Sequence, residues 1–304
     1  MTTAGNLIQK GVEVADSKIY ERDKIWSRYS NDKVEIGEGL ALMTRFLSKT
    51  LPLGEPMRAL SIGSSSEPQF RILESAYRGG LYLLDVEKDA LAVVKERIKR
   101  QHTTNVNPYL GNYTKIFQTQ EKAAHFLEHK LHDEKVHLIT LHHSLYYSRP
   151  ESWTELFQNL YQIILAPKGL MHAVLMIPES CNEASTTWLY NHYAGKYFGH
   201  RNDQDLLKFE RDLAGDPVFK NAVFFSRTHH IRFFVDDFEK FMSVIWMILL
   251  YPDVHPYTQK QKEEITEFVF RKFWLHKRPL IQLQNHVSIC RGICLEGLEV
   301  TGIS

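Results

Sequence analysis

The sequence predicts an α/β fold built on a doubly wound, mostly parallel sheet, and three observations carry that expectation. Five short apolar runs, residues 59–62, 81–84, 106–110, 136–141 and 170–177, alternate with segments of helical period. The first run stops on a glycine, Gly63, and the second on a lone acid, Asp85. Beyond residue 178 the rhythm changes to longer helical patterns, with strand-like runs at 223–234 and 286–293.

In chain order, residues 1–52 read as a helical cap. One segment carries Ile19, Trp26 and Tyr29; the next carries Ile36, Leu40, Met43 and Leu47 at helical spacing. Gly37 and Gly39 weaken the start of that second helix and put its first turn near Glu38. Tyr20, Trp26 and Tyr29 are read either as a pocket lining or as an ordinary core stripe. Pro52 and Gly54 end the cap.

Residues 58–89 form one strand–turn–helix–strand unit, with Pro68 at a position tolerated in a first helical turn. Helices follow over 90–99 and 118–131, and Pro108 places the 106–110 strand at a sheet edge. On the second of these helices, His125, His129 and His132 have a metal-like spacing, but the apolar set Ala123, Phe126, Leu127 and Leu131 already explains the helix. A helix over 153–165 and the turn Pro167-Lys168-Gly169 lead into the fifth strand. Helices around 203–213, 238–249 and 261–274 complete the chain, so that 178–222 and 237–280 are additions to one domain spanning 1–304. The insertion before the last strand is either a lid or extra helical packing.

Composition bounds the function. The 304 residues are 43% hydrophobic and 24% charged, with a net charge of +1, which disfavours nucleic-acid binding. The N-terminal stretch lacks a signal peptide's apolar core, and the apolar run 244–251 is too short to span a bilayer, so a cytoplasmic protein is expected. Cys181, Cys290 and Cys294 form no even framework and are read as free thiols.

Gly63 and Asp85 are 22 positions apart, close to the ~20 that separate a nucleotide-binding turn from the acid that takes ribose hydroxyls. A dinucleotide needs further glycines so that backbone can approach its pyrophosphate, yet the turn reads Gly63-Ser64-Ser65-Ser66-Glu67. S-adenosylmethionine has the ribose without the phosphates, so it is favoured over NAD. Residues just past the first and fourth strands share the crevice where strand order reverses. That position after the fourth strand carries His142-His143-Ser144-Leu145-Tyr146-Tyr147.

These residues together resemble the class I S-adenosylmethionine-dependent methyltransferases, over roughly 59–293. The features are the Gly63 turn, Asp85, Ala166-Pro167-Lys168-Gly169 and a closing antiparallel hairpin. The resemblance implies a Rossmann-like seven-stranded sheet in the order 3-2-1-4-5-7-6 with strand seven antiparallel. Leu60-Ser61-Ile62-Gly63, the pair Tyr146-Tyr147 and Asn285 are most similar to the histamine N-methyltransferases within that family. Here serines replace glycines after Gly63, and His143 replaces a glutamine. The resemblance implies cofactor contacts from Ser61, Gly63, Ser64, Ser65, Asp85, Asn112 and His142, and acceptor-side roles for Glu38, His143, Tyr147 and Asn285, with no metal. A tyrosine ring suits a sulfonium cation, an amine must lose a proton, and His143 is the candidate to take it. Glu38 either holds a cationic amine or, in a continuous helix, faces solvent. Two functions stand: a methyltransferase acting on a small-molecule amine, and a catalytically inactive binding or regulatory protein of the same fold.

Overall fold

The computed structural model describes residues 3–16, 19–63, 69–250 and 256–293. Three helices, α1 (Thr3–Glu13), α2 (Ile19–Tyr29) and α3 (Asp32–Thr50), precede the sheet. Then come β1 (Arg58–Ile62), α4 (Gln69–Ala76), β2 (Gly80–Asp85), α5 (Lys88–Gln101), β3 (Val106–Leu110), α6 (Tyr113–Ile116), α7 (Gln120–Leu131) and β4 (Val136–His142). The second half runs α8 (Trp153–Asn159), β5 (Leu165–Met176), α9 (Thr186–Phe198), α10 (Leu206–Ala214), β6 (Ala222–Phe233), α11 (Phe238–Leu250), α12 (Gln259–Lys272) and β7 (Leu280–Arg291).

The sheet order is β3-β2-β1-β4-β5-β7-β6, the order that the resemblance implies. β1 to β5 pair in parallel, and β7 is antiparallel to both β5 and β6. Every residue of β2 and β4 is buried, as expected of central parallel strands covered on both faces. Pro108 has no N–H to donate, and β3 takes the edge.

One core, including Leu60, Ile62, Ile139, Phe117, Phe157 and Phe209, lies under α7, α8 and α10. The opposite face packs Ala59, Leu81, Leu138 and Val174 against Ile36, Leu40 and Leu47 of α3 and Leu73 of α4. A third cluster joins α9, α11 and α12 to Trp26 and to Ile231 and Phe233 of β6. Among the described residues no helix is long and apolar enough to cross a membrane.

Two elements differ from the sequence reading in ways that reshape the site. α3 begins at Asp32 and runs unbroken through Gly37 and Gly39. The bare Cα of Gly37 admits α4, since a Cβ there would sit 3.3 Å from Ile72 Cδ1. Close helix packing thus offsets the glycine's low helix propensity. β7 starts at Leu280, six residues before the expected His286, and its polar residues Gln282, Gln284 and Asn285 are buried. They satisfy one another and their neighbours instead of marking a loop.

Candidate active site

The first four parallel strands end along one edge of the sheet, and backbone bonding continues just past them. Gly63 N donates to Leu84 O (2.9 Å), Gly111 N to Asp85 O (2.8 Å) and His143 N to Val174 O (2.9 Å). β1 and β4 are neighbours whose crossovers leave in opposite directions, so the sheet opens a crevice at this point. There lies a cavity of about 500 Å³. Its floor holds Gly63, Asp85, Asn112, His143, Ser144 and Tyr146, and Asp23, Trp26, Met247 and Ile248 close it from the helical side. The insertion therefore reaches the crevice through the end of α11, beside α2.

On the cofactor side, Gly63 has φ +73°, and a Cβ built on it would lie 2.5 Å from Ser144 Cβ. Only glycine fits there. Asp85 is buried at the end of β2, and one carboxylate oxygen accepts from Glu87 N at 2.8 Å. Asn112 caps α6, accepting from Thr114 N at 2.9 Å, and stands exposed at the cavity wall. Ser61 does not line the cavity: its hydroxyl accepts from Thr140 Oγ1 at 3.0 Å between β1 and β4. His142 lines it, but its Nε2 lies 2.8 Å from His172 Nδ1 and is committed there. Burial pushes both of those imidazoles well below the usual histidine range, so the pair is neutral. Ser64 and Ser65 lie outside the described residues, as do Cys294 and the side chain of Tyr20.

The wall that the sequence reading assigned to the acceptor is built around His143. Its backbone is left-handed (φ +53°), unusual for a residue other than glycine and frequent at functional sites. Its ring stacks on Tyr146 with centroids 5.9 Å apart, and Tyr146 OH lies 3.5 Å from His143 Nδ1. The Tyr146 hydroxyl in turn accepts from Met176 N at 2.7 Å, and burial raises its pKa, keeping it protonated. Tyr147 lines the mouth of the cavity and is 52% exposed.

Behind His143 sits Asp32, the first residue of α3 and only 4% exposed. Trp26 Nε1 donates to its Oδ2 (2.9 Å) and Gln284 Nε2 to its Oδ1 (2.7 Å). His143 Nε2 stands 3.4 Å from Oδ2, at ion-pair distance but not aligned for a hydrogen bond. Burial opposes ionisation of Asp32, but the electrostatic attraction of neighbouring His143 and the hydrogen bonds from Gln284 and Trp26 outweigh it and hold the carboxyl below the usual range. Gln284 is fully used. Its amide nitrogen also meets His286 Nε2 (2.9 Å), and its oxygen accepts from Gln282 Nε2 (2.9 Å).

Two expected acceptor-side residues stand elsewhere. Because α3 is continuous, Glu38 lies on its exposed face and lines a second cavity of about 290 Å³ with Glu35, Arg227, His229 and His286. Asn285 faces away from the crevice, accepting from Thr228 Oγ1 at 2.8 Å. Successive residues of a strand point to opposite faces, so β7 turns Gln282 and Gln284 toward the crevice and Asn285 away from it. Asp23, Asp32, Ser144 and Gln284 are the groups that sequence patterns do not single out. The only local signal was an acid just after Asn31, in a helix's first turn. As for metals, His125, Glu128 and His129 offer ligand atoms within 4.8 Å of one another, all on exposed side chains. His132 ends α7 in a left-handed cap and so leaves that face.

No protein-family model and no curated protein matches the sequence. Solved structures do. The YcgJ protein of Bacillus subtilis aligns at TM-score 0.50 and 13% identity, over 84% of this chain and 98% of that one. The plantazolicin methyltransferase BamL, solved with S-adenosylhomocysteine, aligns at 0.48 and 13%, over 95% and 96%. Phosphoethanolamine N-methyltransferase 2 of Haemonchus contortus, solved with S-adenosyl-L-methionine, aligns at 0.44 and 13%, over 83% and 52%. The likeness is one of fold. What the crevice does must be argued from its own residues.

Proposed function

We propose that the chain is an S-adenosylmethionine-dependent methyltransferase acting on the amine nitrogen of a small molecule. One observation carries this reading: the charge of the crevice. Asp23, Asp85 and Glu87 line it, ionised Asp32 stands behind His143, and no lysine or arginine is among the described lining residues. Such a wall favours cations and disfavours the pyrophosphate of NAD or a phosphorylated substrate. A sulfonium donor and an ammonium acceptor are both cations.

The residues fit that cofactor. Gly63 keeps the turn after β1 free of a side chain and closely packed on Ser144, buried Ser144 Oγ has no hydrogen-bond partner, and Asp85 ends β2 with the acceptor chemistry that ribose hydroxyls need. When bound, S-adenosylmethionine supplies an electrophilic methyl group on sulfur. The protein's part is to exclude water and align the acceptor, with Trp26, Tyr146, Met176, Met247 and Ile248 giving the wall an apolar and aromatic character. Asp32 acts through His143, whose ring it orients against Tyr146.

Asp85→Ala should weaken S-adenosylmethionine binding by ~1.5–3 kcal/mol, the worth of a charge-assisted hydrogen bond. Calorimetry on the folded variant checks this, and unaltered affinity would remove Asp85 from the site. Assays for S-adenosylhomocysteine over a panel of amines, imidazoles and phenols test the function itself. Turnover confined to phenols would refute the amine reading, and cofactor binding without turnover would favour the inactive binding protein.

A further inference from the structure

We propose that Asp23 takes the proton from a protonated aliphatic amine bound in the crevice, which makes aliphatic ammonium compounds the acceptor class. This rests on the amine methyltransferase reading above.

Access decides which base can serve. His143 was the candidate from sequence, but its Nε2 is buried and turned to Asp32, and its Nδ1 is covered by the Tyr146 hydroxyl. Asp32 is buried behind that ring with both oxygens engaged. Asp23 is different. It lies one helical turn before Trp26 on α2, lines the cavity and is partly exposed.

Its electrostatic setting suits the task. The charged groups around it are His143 after β4, Asp32 at the start of α3, Asp85 at the end of β2, and Lys24 on its own helix. Burial pushes the Asp23 carboxyl up to about 6, the Asp32 and Asp85 charges add to the push, and His143 and Lys24 oppose it. Two neighbouring carboxyls are thereby driven apart, Asp32 staying ionised and Asp23 gaining proton affinity, a pattern that separates electrostatic from acid–base roles. The transfer balances simply. An N–H bond of the ammonium breaks, its electron pair remains on nitrogen as the lone pair, and the proton forms an O–H bond on Asp23. Two charged groups become two neutral ones. Because Asp23 is partly exposed, it can return the proton to solvent after each turnover.

The test compares wild type, Asp23→Asn and Asp23→Glu, each with cofactor affinity measured first. With aliphatic amines at pH 7, Asp23→Asn should lose about 100-fold or more in kcat/KM, the usual scale of general-base catalysis, and Asp23→Glu should recover part of it. With aniline-type amines, which are already neutral at that pH, Asp23→Asn should change little. Calorimetric affinity for an aliphatic amine should rise in wild type as pH passes about 6, where Asp23 ionises, and stay flat in Asp23→Asn. A folded Asp23→Asn that matches wild type in turnover and in this binding profile overturns the role of Asp23 alone. A wild type that binds S-adenosylmethionine but neither binds nor methylates any aliphatic amine overturns the substrate class, and turnover of phenols alone overturns the function on which it rests.

Discussion

Asp32→Ala is expected to cost about 3–5 kcal/mol of folding stability, because it removes one partner from a buried, hydrogen-bonded charge cluster. Trp26 Nε1 and one hydrogen of the Gln284 amide would be left facing a void, and His143 would lose the carboxylate 3.4 Å from its ring. Asp32→Asn preserves the shape but can accept from only one of the two donors, so it should lose less. Urea unfolding at pH 7 measures both. The pH dependence has a definite sign. The folded pKa of Asp32 lies below its unfolded value of about 3.9, so its contribution is present above that pH and is lost as pH falls through the folded value. The stability gap between wild type and Asp32→Ala should therefore narrow in acid. A gap that stays constant down to pH 2 would mean that the carboxylate charge does not stabilise the cluster.

Gly63→Val should abolish S-adenosylmethionine binding, and the structure shows why the result needs a control. The φ of +73° would cost a valine ~1–3 kcal/mol of strain, and its Cβ would meet Ser144 Cβ at 2.5 Å even with no cofactor present. Loss of binding in this variant alone could reflect a displaced β4 turn. The pair Gly63→Ala and Gly63→Ala/Ser144→Gly separates the effects, since the second substitution removes the overlapping carbon and leaves the added methyl in the turn. A double variant that folds like wild type and still fails to bind, while Ser144→Gly alone binds, supports the cofactor turn. One that binds normally would show that the backbone of Gly63 does not approach the cofactor.

The sequence by itself determined the layered fold and put Gly63, Asp85 and Asn112 at the crevice, because those depend on local period, whereas Ser61 and His142 are engaged between strands. Alternating apolar runs and helical stripes set the parallel strands, Pro108 set the edge, and Gly63 and Asp85 ended adjacent strands where the chain must turn. Which residues face the crevice from α3 and β7 was decided only by tertiary structure. Whether Asn285 or its neighbours Gln282 and Gln284 face the crevice depends on the register of β7 against β5 and β6, and a shift of one residue exchanges the faces. Whether Glu38 reaches the site depends on α3 staying helical through two glycines, which α4 permits by packing against Gly37. Asp23 and Asp32 sit in ordinary helical surroundings in the sequence. They become a pair with separated proton affinities only because the fold brings them against His143, more than a hundred residues away, inside a crevice that burial has partly stripped of water.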